Sequence, residues 1–179
     1  EWRWHDGMAK VVGPLAKHAQ RIFTQQWVTS AGGSYFDFYD DFYFPTDEVL
    51  ANLGGTTPMA LMLSYPGDSK RLNRRHVVER IEHGEGDVLI ENPYVTASYL
   101  WEAFNGLDAE KASRTYVVTP LTVTDSPTNG ATVRCRGRTA VEQGMKVYDF
   151  YDGTRFTHLK LTVDVDAEVV HYGSFNMNA

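Results

Sequence analysis

The alternation of short apolar runs with longer amphipathic stretches most limits the folds open to this chain. The runs "MALML", "DVLIENPYV", "RTYVVTPLTVTD" and "MKVYDFYDG" have the length and the apolar or alternating pattern of strands. Helix-like stretches of ten to sixteen residues separate them. This order predicts an α/β domain with a largely parallel β-sheet flanked by helices. The last stretch, "THLKLTVDVDAEVVHYGSFNM", predicts a hairpin with a turn near Asp166, which makes the sheet mixed.

The predicted helices carry recognisable boundary signals. Pro14 suits the first position of one helix. Asp68 or Ser69 can cap a second helix that Gly84 ends, and the stretch "NGATVRCRGRTAVEQG" predicts another helix closed by Gly144. Apolar residues at helical spacing predict a buried stripe on each of the first two helices: Leu15, Ala19, Ile22 and Phe23, and then Leu72, Val77, Val78 and Ile81.

Bulk composition excludes several classes of protein. With 179 residues, 42% of them hydrophobic and 22% charged, the chain suits one medium globular domain rather than a disordered segment. The formal net charge of -6 argues against a protein that coats nucleic acid through bulk charge. Cys135, which we interpret as a buried or half-buried thiol, is the single cysteine, so no intramolecular disulfide can form. No apolar run approaches the roughly 20 residues that span a bilayer.

Reactive side chains concentrate in the predicted hairpin. Along a strand, side chains two residues apart share a face, so His158, Lys160, Thr162 and Asp164 are expected on one face. Leu159, Leu161, Val163 and Val165 then form the opposite, apolar face. If the two strands pair, His158 and Lys160 converge with Ser174 and Asn176 on one pocket. His171 has the opposite parity to Ser174, and we interpret it as a packing or surface residue.

The residue types in this cluster suit a phosphoryl group better than a metal ion. An imidazole can act as nucleophile or general acid/base near neutral pH, and a lysine supplies a positive charge. Ser174 and Asn176 add neutral donors, while Gly173 lets the backbone come close to a ligand. Such a set matches the spread negative charge of a phosphoryl group in transfer. The acidic ligands are few, and their spacing matches neither zinc nor calcium patterns.

The stretch resembles the signature of the phospholipase D superfamily, HxKxxxxD followed by six residues and GSxN. His158, Lys160, Gly173, Ser174 and Asn176 match the signature residue for residue. The aspartate departs from it. Counting back from Gly173 favours Asp166, which lies one residue too far from Lys160, and Asp164 is the alternative. We choose Asp166 as the signature aspartate.

The resemblance extends over most of the chain and implies its organisation. The segment "WHDGMAKVVGPLAKHAQRIFTQQW" is similar to the one that follows the first signature in two-signature bacterial members, the cardiolipin-synthase-like branch. Residues 1–28 would be the tail of a first repeat, 29–57 an irregular aromatic connector, and 58–179 a second repeat cut after GSFN. The chain is thus expected to be a fragment, whose cellular location, cytoplasmic or membrane-peripheral, stays open.

The resemblance implies cleavage of phosphodiesters through a phosphohistidine, without metal or cofactor. The nucleophile would be the histidine of an upstream signature, and His158 the general acid/base. Lys160, Gly173, Ser174 and Asn176 would hold phosphate oxygens, and the aspartate would orient a histidine. The second half-site would come from the upstream repeat or a second copy, so the chain alone should be inactive or very weak. His5 and Asp6 lie where family members often carry polar residues near the site.

Three functions remain open on the sequence. The first is a phospholipase D or phosphatidyl transferase that acts on phospholipids, with a membrane surface as a potential partner. The second is a nuclease-type phosphodiesterase, which the net charge and the lack of a basic stripe disfavour. The third is a non-catalytic phosphate-binding domain, which the intact His158–Lys160 pair disfavours.

Overall fold

A computed structural model of the chain describes residues 3–32, 56–64, 71–122, 124–151 and 155–178. Its residues fall into two compact units: Glu1–Gly7 with Ser64–Ala179, and Met8–Leu63. Most of the predicted connector, and the proposed caps Asp68 and Ser69, lie outside the described residues.

The secondary structure of the described residues is, in order, β1 (Arg3–His5), α1 (Pro14–Ser30), α2 (Leu72–His83), β2 (Val88–Glu91), α3 (Ser98–Asn105), α4 (Ala109–Ser113), β3 (Thr115–Thr119), α5 (Pro127–Arg136), α6 (Arg138–Glu142), β4 (Lys146–Asp149), β5 (Arg155–Thr157), β6 (Leu161–Asp164) and β7 (Val169–Tyr172).

The larger unit is built on a mixed, mostly parallel sheet with the order β4-β3-β2-β6-β7. Strands β2, β3 and β4 pair in parallel, and β6 is antiparallel to both of its neighbours, β2 and β7. Four of the five strands therefore run in one direction, which confirms the α/β class with a largely parallel sheet. A separate two-stranded sheet pairs β1 in parallel with β5.

One face of the main sheet is covered by helices and carries the core. Val88 and Ile90 of β2 and Val117 of β3 are buried with side chains of α2 and α3, and Trp101 donates its indole N–H to the carbonyl oxygen of Val95 at 3.0 Å. The opposite face is more open, since Leu89 and Val170 on it are 40% and 62% exposed. Burying a valine or isoleucine side chain in the core on the helix-covered face stabilises the fold by about 1.5–3 kcal/mol.

Several local predictions are confirmed. Helix α1 begins at Pro14, α2 ends at Gly84, and the hairpin turn falls between Asp164 and Val169. On α2, Val77 and Ile81 are buried as predicted, whereas Leu72 is 40% exposed.

Other local predictions are wrong. The run at residues 59–63 is not a strand, and Met59 and Leu61 on it are exposed, because a short apolar run indicates burial only when a neighbouring strand pairs with it. On α1, Ala19 and Phe23 are exposed, and Val28 is the buried side chain. The helix predicted up to Gly144 is two helices, which meet at Gly137, and Cys135 on the first of them is exposed.

Candidate functional site

The pair His158 and Lys160 lies on the link between the two sheets, not on a strand. Strand β5 ends at Thr157 and β6 begins at Leu161, so the intervening residues carry no strand pairing. The backbone N–H of His158 donates to the carbonyl oxygen of His5 at 2.7 Å, and Gly173 donates to that of Lys160 at 3.3 Å. The link is thereby tied to β1 on one side and to the end of β7 on the other.

Asp6 is the acidic partner of His158. Its Oδ2 lies 3.1 Å from Nδ1 of the imidazole, although the two residues are 152 positions apart in the chain. This hydrogen bond, with a second one from the backbone N–H of Gly7, lowers the pKa of the Asp6 carboxyl. Because a carboxylate only accepts, the contact places the ring proton on Nδ1. Nε2 is then the ring nitrogen that carries no proton while the imidazole is neutral.

A glycine allows Asp6 to approach this closely. A Cβ atom added at Gly7 would lie 2.8 Å from Cδ1 of Leu159, closer than such atoms pack. A larger residue after Asp6 would require the end of the Leu159 side chain to shift.

Lys160 is almost buried, at 7% exposure. Its Nζ donates to the carbonyl oxygen of His158 at 2.6 Å. Burial lowers the pKa of this amine, while the negative charges of Asp6 and Asp125 act in the opposite direction. A protonated lysine has three N–H donors, and one of them has an acceptor among the described residues, so two remain for a ligand there.

The GSxN segment is held by a buried asparagine that sequence reasoning did not single out. Asn92, at the end of β2, donates to the carbonyl oxygen of Phe175 at 3.1 Å and accepts from the backbone N–H of Met177 at 3.3 Å. Met177 inserts into the hydrophobic core. These contacts set the position of Asn176, whose Oδ1 is buried and has no hydrogen-bond partner among the described residues. The signal for Asn92 was its place directly after a buried strand, in "IENP".

The predicted face alternation along the hairpin is only partly right. Lys160, Thr162 and Asp164 share a face, as predicted, but that face is the buried one, whereas Leu161 and Val163 are half-buried. Strand β7 ends at Tyr172, so strand parity does not extend to Ser174, which is exposed. The predicted alternation of faces ends after Tyr172 because Gly173 and Ser174 form a bend.

His171 lies on the same face as Thr162, its partner in the strand register. Its Nε2 is 3.1 Å from Oδ1 of Asn73, and its ring meets that of His76 edge-on at 5.2 Å. Burial, reinforced by His76, lowers the pKa of His171 to about 4. His171 also lines a cavity of about 10 Å³, the size of one water molecule, together with Lys160, Thr162 and Gly173. It is therefore a packing residue in the wall of the site.

The two candidate aspartates lie at the other end of the hairpin. Asp166 is in the turn and pairs with Arg114 at 3.1 Å, whereas Asp164 is buried and pairs with Arg80 at 3.4 Å. Four strand residues, roughly 13 Å at 3.3 Å each, separate this turn from Lys160. The structure does not bring Asp166 to His158, and the acidic group that orients the imidazole is Asp6.

A cavity of about 400 Å³ lies at the end of the sheet away from His158, with Glu85, Asp108 and Arg114 in its lining. In the described ranges, no group of three or more histidine, cysteine, aspartate or glutamate side chains is arranged to hold a metal ion. None of the helices in the described part of the chain is long and apolar enough to cross a membrane.

Comparison of the chain with family models, with curated proteins and with solved structures gives no match.

Proposed function

We propose that the chain supplies one half of a phosphodiester-cleaving site of the phospholipase D type. His158 is the general acid/base, and Lys160, Gly173, Ser174 and Asn176 bind the oxygens of the phosphate. The observation that carries the proposal is the contact between Asp6 and Nδ1 of His158, beside the ammonium of Lys160. An imidazole fixed in one tautomer beside a cation suits proton transfer to and from a phosphate ester.

The steps divide between two histidines. A histidine of the second half-site attacks phosphorus, and a P–N bond forms as the bond to the leaving oxygen breaks. His158, protonated on both ring nitrogens at that moment, gives its Nε2 proton to the leaving oxygen. It then removes a proton from water or an alcohol, which attacks phosphorus and releases the first histidine. Asp6 keeps the proton on Nδ1 throughout.

The charges near the site favour a phospholipid over nucleic acid as the substrate. Asp6 and Asp125 both act on Lys160, and Glu91 lies 3.9 Å from His5. A nucleic acid carries many phosphates, and these carboxylates would repel them, whereas a phospholipid presents one phosphodiester. The membrane surface would then be the partner that delivers the substrate.

Anion binding tests the half-site without requiring turnover. Orthovanadate, a phosphate analogue, is titrated into the purified chain while the amide NMR signals of Gly173 and Asn176 are followed. We expect saturable shifts, and Lys160→Ala should weaken binding by at least about tenfold, because a hydrogen bond to a charged group is lost. Lys146→Ala, which removes a lysine from β4, is the matched control. Absence of binding, or equal weakening in both variants, contradicts the proposal.

Turnover is then measured with vesicles of phosphatidylglycerol, vesicles of phosphatidylcholine and single-stranded DNA. We expect the chain alone to show little or none. Activity that His158→Ala abolishes would show that two copies complete each other's site. Cleavage of DNA but not of lipid would favour the nuclease alternative. Vanadate binding without turnover in any complete protein would favour a non-catalytic phosphate-binding domain.

A further inference from the structure

Glu91 lies where the two sheets of the larger unit meet. It is the last residue of β2 and pairs in register with Leu161, the first residue of β6. Its carboxylate accepts a hydrogen bond from the hydroxyl group of Thr157, the last residue of β5. The same carboxylate lies 3.9 Å from Nε2 of His5 on β1. The side chain of Glu91 therefore contacts β5 and β1, while its backbone pairs with β3 and β6.

The hydrogen bond from Thr157 continues into the link that carries the candidate site. Oγ1 of Thr157, a fully buried residue, accepts from the backbone N–H of Leu159 at 3.2 Å. The chain of donors runs from Leu159 through Thr157 to the carboxylate of Glu91. Successive hydrogen bonds of this kind polarise and strengthen one another, most of all where they end on a charge.

Leu159 stands between His158 and Lys160, so its backbone sets the positions of both. The link has no strand pairing of its own. Thr157 and His158 are neighbours in the chain and have different acidic partners. Asp6 holds the imidazole of His158, while Glu91 holds the backbone through Thr157.

We infer that Glu91 is a positioning residue, which fixes the backbone between His158 and Lys160 through the hydroxyl group of Thr157. A role of Glu91 in catalysis rests on the proposed function. Its control of the backbone geometry of the link does not depend on that function. In this arrangement Glu91 acts on the link through Thr157 and Leu159.

Two threonine variants isolate the hydroxyl group. Thr157→Val removes it and keeps the side-chain shape, whereas Thr157→Ser keeps it. Thr115→Val is the matched control, because Thr115 is also buried on a strand and its hydroxyl group bonds the backbone at 2.9 Å, at the other end of the sheet. Amide hydrogen exchange of Leu159 and the ¹⁵N signals of the His158 ring are measured in all three proteins and in the parent.

We expect Thr157→Val to speed exchange of the Leu159 amide at least about tenfold more than Thr115→Val does, and to alter the His158 ring signals. Thr157→Ser should resemble the parent. Glu91→Ala should reproduce Thr157→Val, and Glu91→Gln, which keeps an acceptor oxygen, should have a smaller effect. Equal exchange in Thr157→Val and Thr115→Val, or no effect of Glu91→Ala, overturns the inference.

Vanadate binding separates this inference from the proposed function. If the parent binds vanadate, Thr157→Val should weaken binding several-fold, and Thr157→Ser should restore it. Unchanged affinity in Thr157→Val would overturn a role for Glu91 in ligand binding. If the parent binds no vanadate while Leu159 exchange responds as expected, the proposed function fails and the positioning of the link by Glu91 stands.

Discussion

The two ends of the β6–β7 hairpin use their polar side chains differently. At the turn, each aspartate faces an arginine: Asp164 faces Arg80, and Asp166 faces Arg114. At the open end, the ammonium of Lys160 has a backbone carbonyl as its hydrogen-bond partner, and Oδ1 of Asn176 has none among the described residues.

This difference separates charges that stabilise the fold from charges that are available to a ligand. The pair Asp164–Arg80 gives the buried carboxylate a cationic partner inside the protein, although Nε of Arg80 is buried without a hydrogen-bond partner among the described residues. Donors and acceptors left over in a half-buried place cost stability, and a ligand that satisfies them recovers that cost on binding. The open end of the hairpin is therefore the place to look for binding, and the turn is the place to look for stability.

The largest effect is expected at the turn. Arg80→Ala leaves the carboxylate of Asp164, which is 1% exposed, buried without its cation. Removing one partner of a buried pair typically costs about 3 kcal/mol or more of the free energy of unfolding. Urea unfolding measures this loss, and vanadate binding by the protein that remains folded should be unchanged.

Arg138→Ala is the control for Arg80→Ala, since Arg138 and Glu142 form an exposed pair on α6. Its unfolding curve should match that of the parent. Similar urea midpoints for the two variants would break the comparison, because the buried pair at the turn would then stabilise no more than a surface pair.

An intermediate effect is expected from the pH dependence of His171. Its pKa is about 4 in the fold and about 6.5 in an unfolded chain. The unfolded state therefore binds more protons between these values, and stability falls as the pH drops through this window. From pH 7.5 to pH 5, the fold should lose about 2 kcal/mol through this residue, at 1.36 kcal/mol per pH unit.

His171→Gln keeps an amide donor for Asn73 and cannot titrate. The variant should lose correspondingly less stability than the parent over the same range, and the two proteins should show parallel behaviour above pH 7. Urea unfolding at a series of pH values measures both. A parent and variant with the same pH dependence would show that the wall of the site carries no titrating histidine.

The smallest effect is expected for Asp166→Ala. Asp166 is half exposed, and its pair with Arg114 lies in solvent, where such pairs contribute little. Neither the urea midpoint nor the affinity for vanadate should change measurably. Loss of vanadate binding in this variant would show that the turn acts on the open end of the hairpin. The two ends would then not have separate roles.

The sequence predicted the order of most elements because each has a local cause. Pro14 begins a helix, Gly84 ends one, and the apolar strands of the sheet lie where their residues favour extended chain. The apolar run at residues 59–63 failed because nothing local reveals whether a strand finds a neighbour. Gly137 likewise divides a stretch that helical periodicity alone would join.

The candidate site was predicted where it depends on spacing and missed where it depends on distant contacts. His158 and Lys160 followed from a short pattern, and the structure joins Gly173 to Lys160 by a backbone hydrogen bond. Asp6 as the partner of His158, and Glu91 behind Thr157, depend on strand pairing between remote parts of the chain. The signature aspartate was chosen by counting residues. Counting does not show that the turn places this aspartate at the opposite end of the hairpin from the candidate site.

The parallel pairing of β1 with β5 also constrains the order in which the protein folds. Asp6 meets His158 across 152 positions, so this contact closes a loop that contains the whole main sheet except β6 and β7. Closing so long a loop costs conformational entropy that later contacts must offset, which makes it a slow and late event. On the ribosome, the segment with β1 emerges long before its partner strand exists, and it must stay unpaired until then.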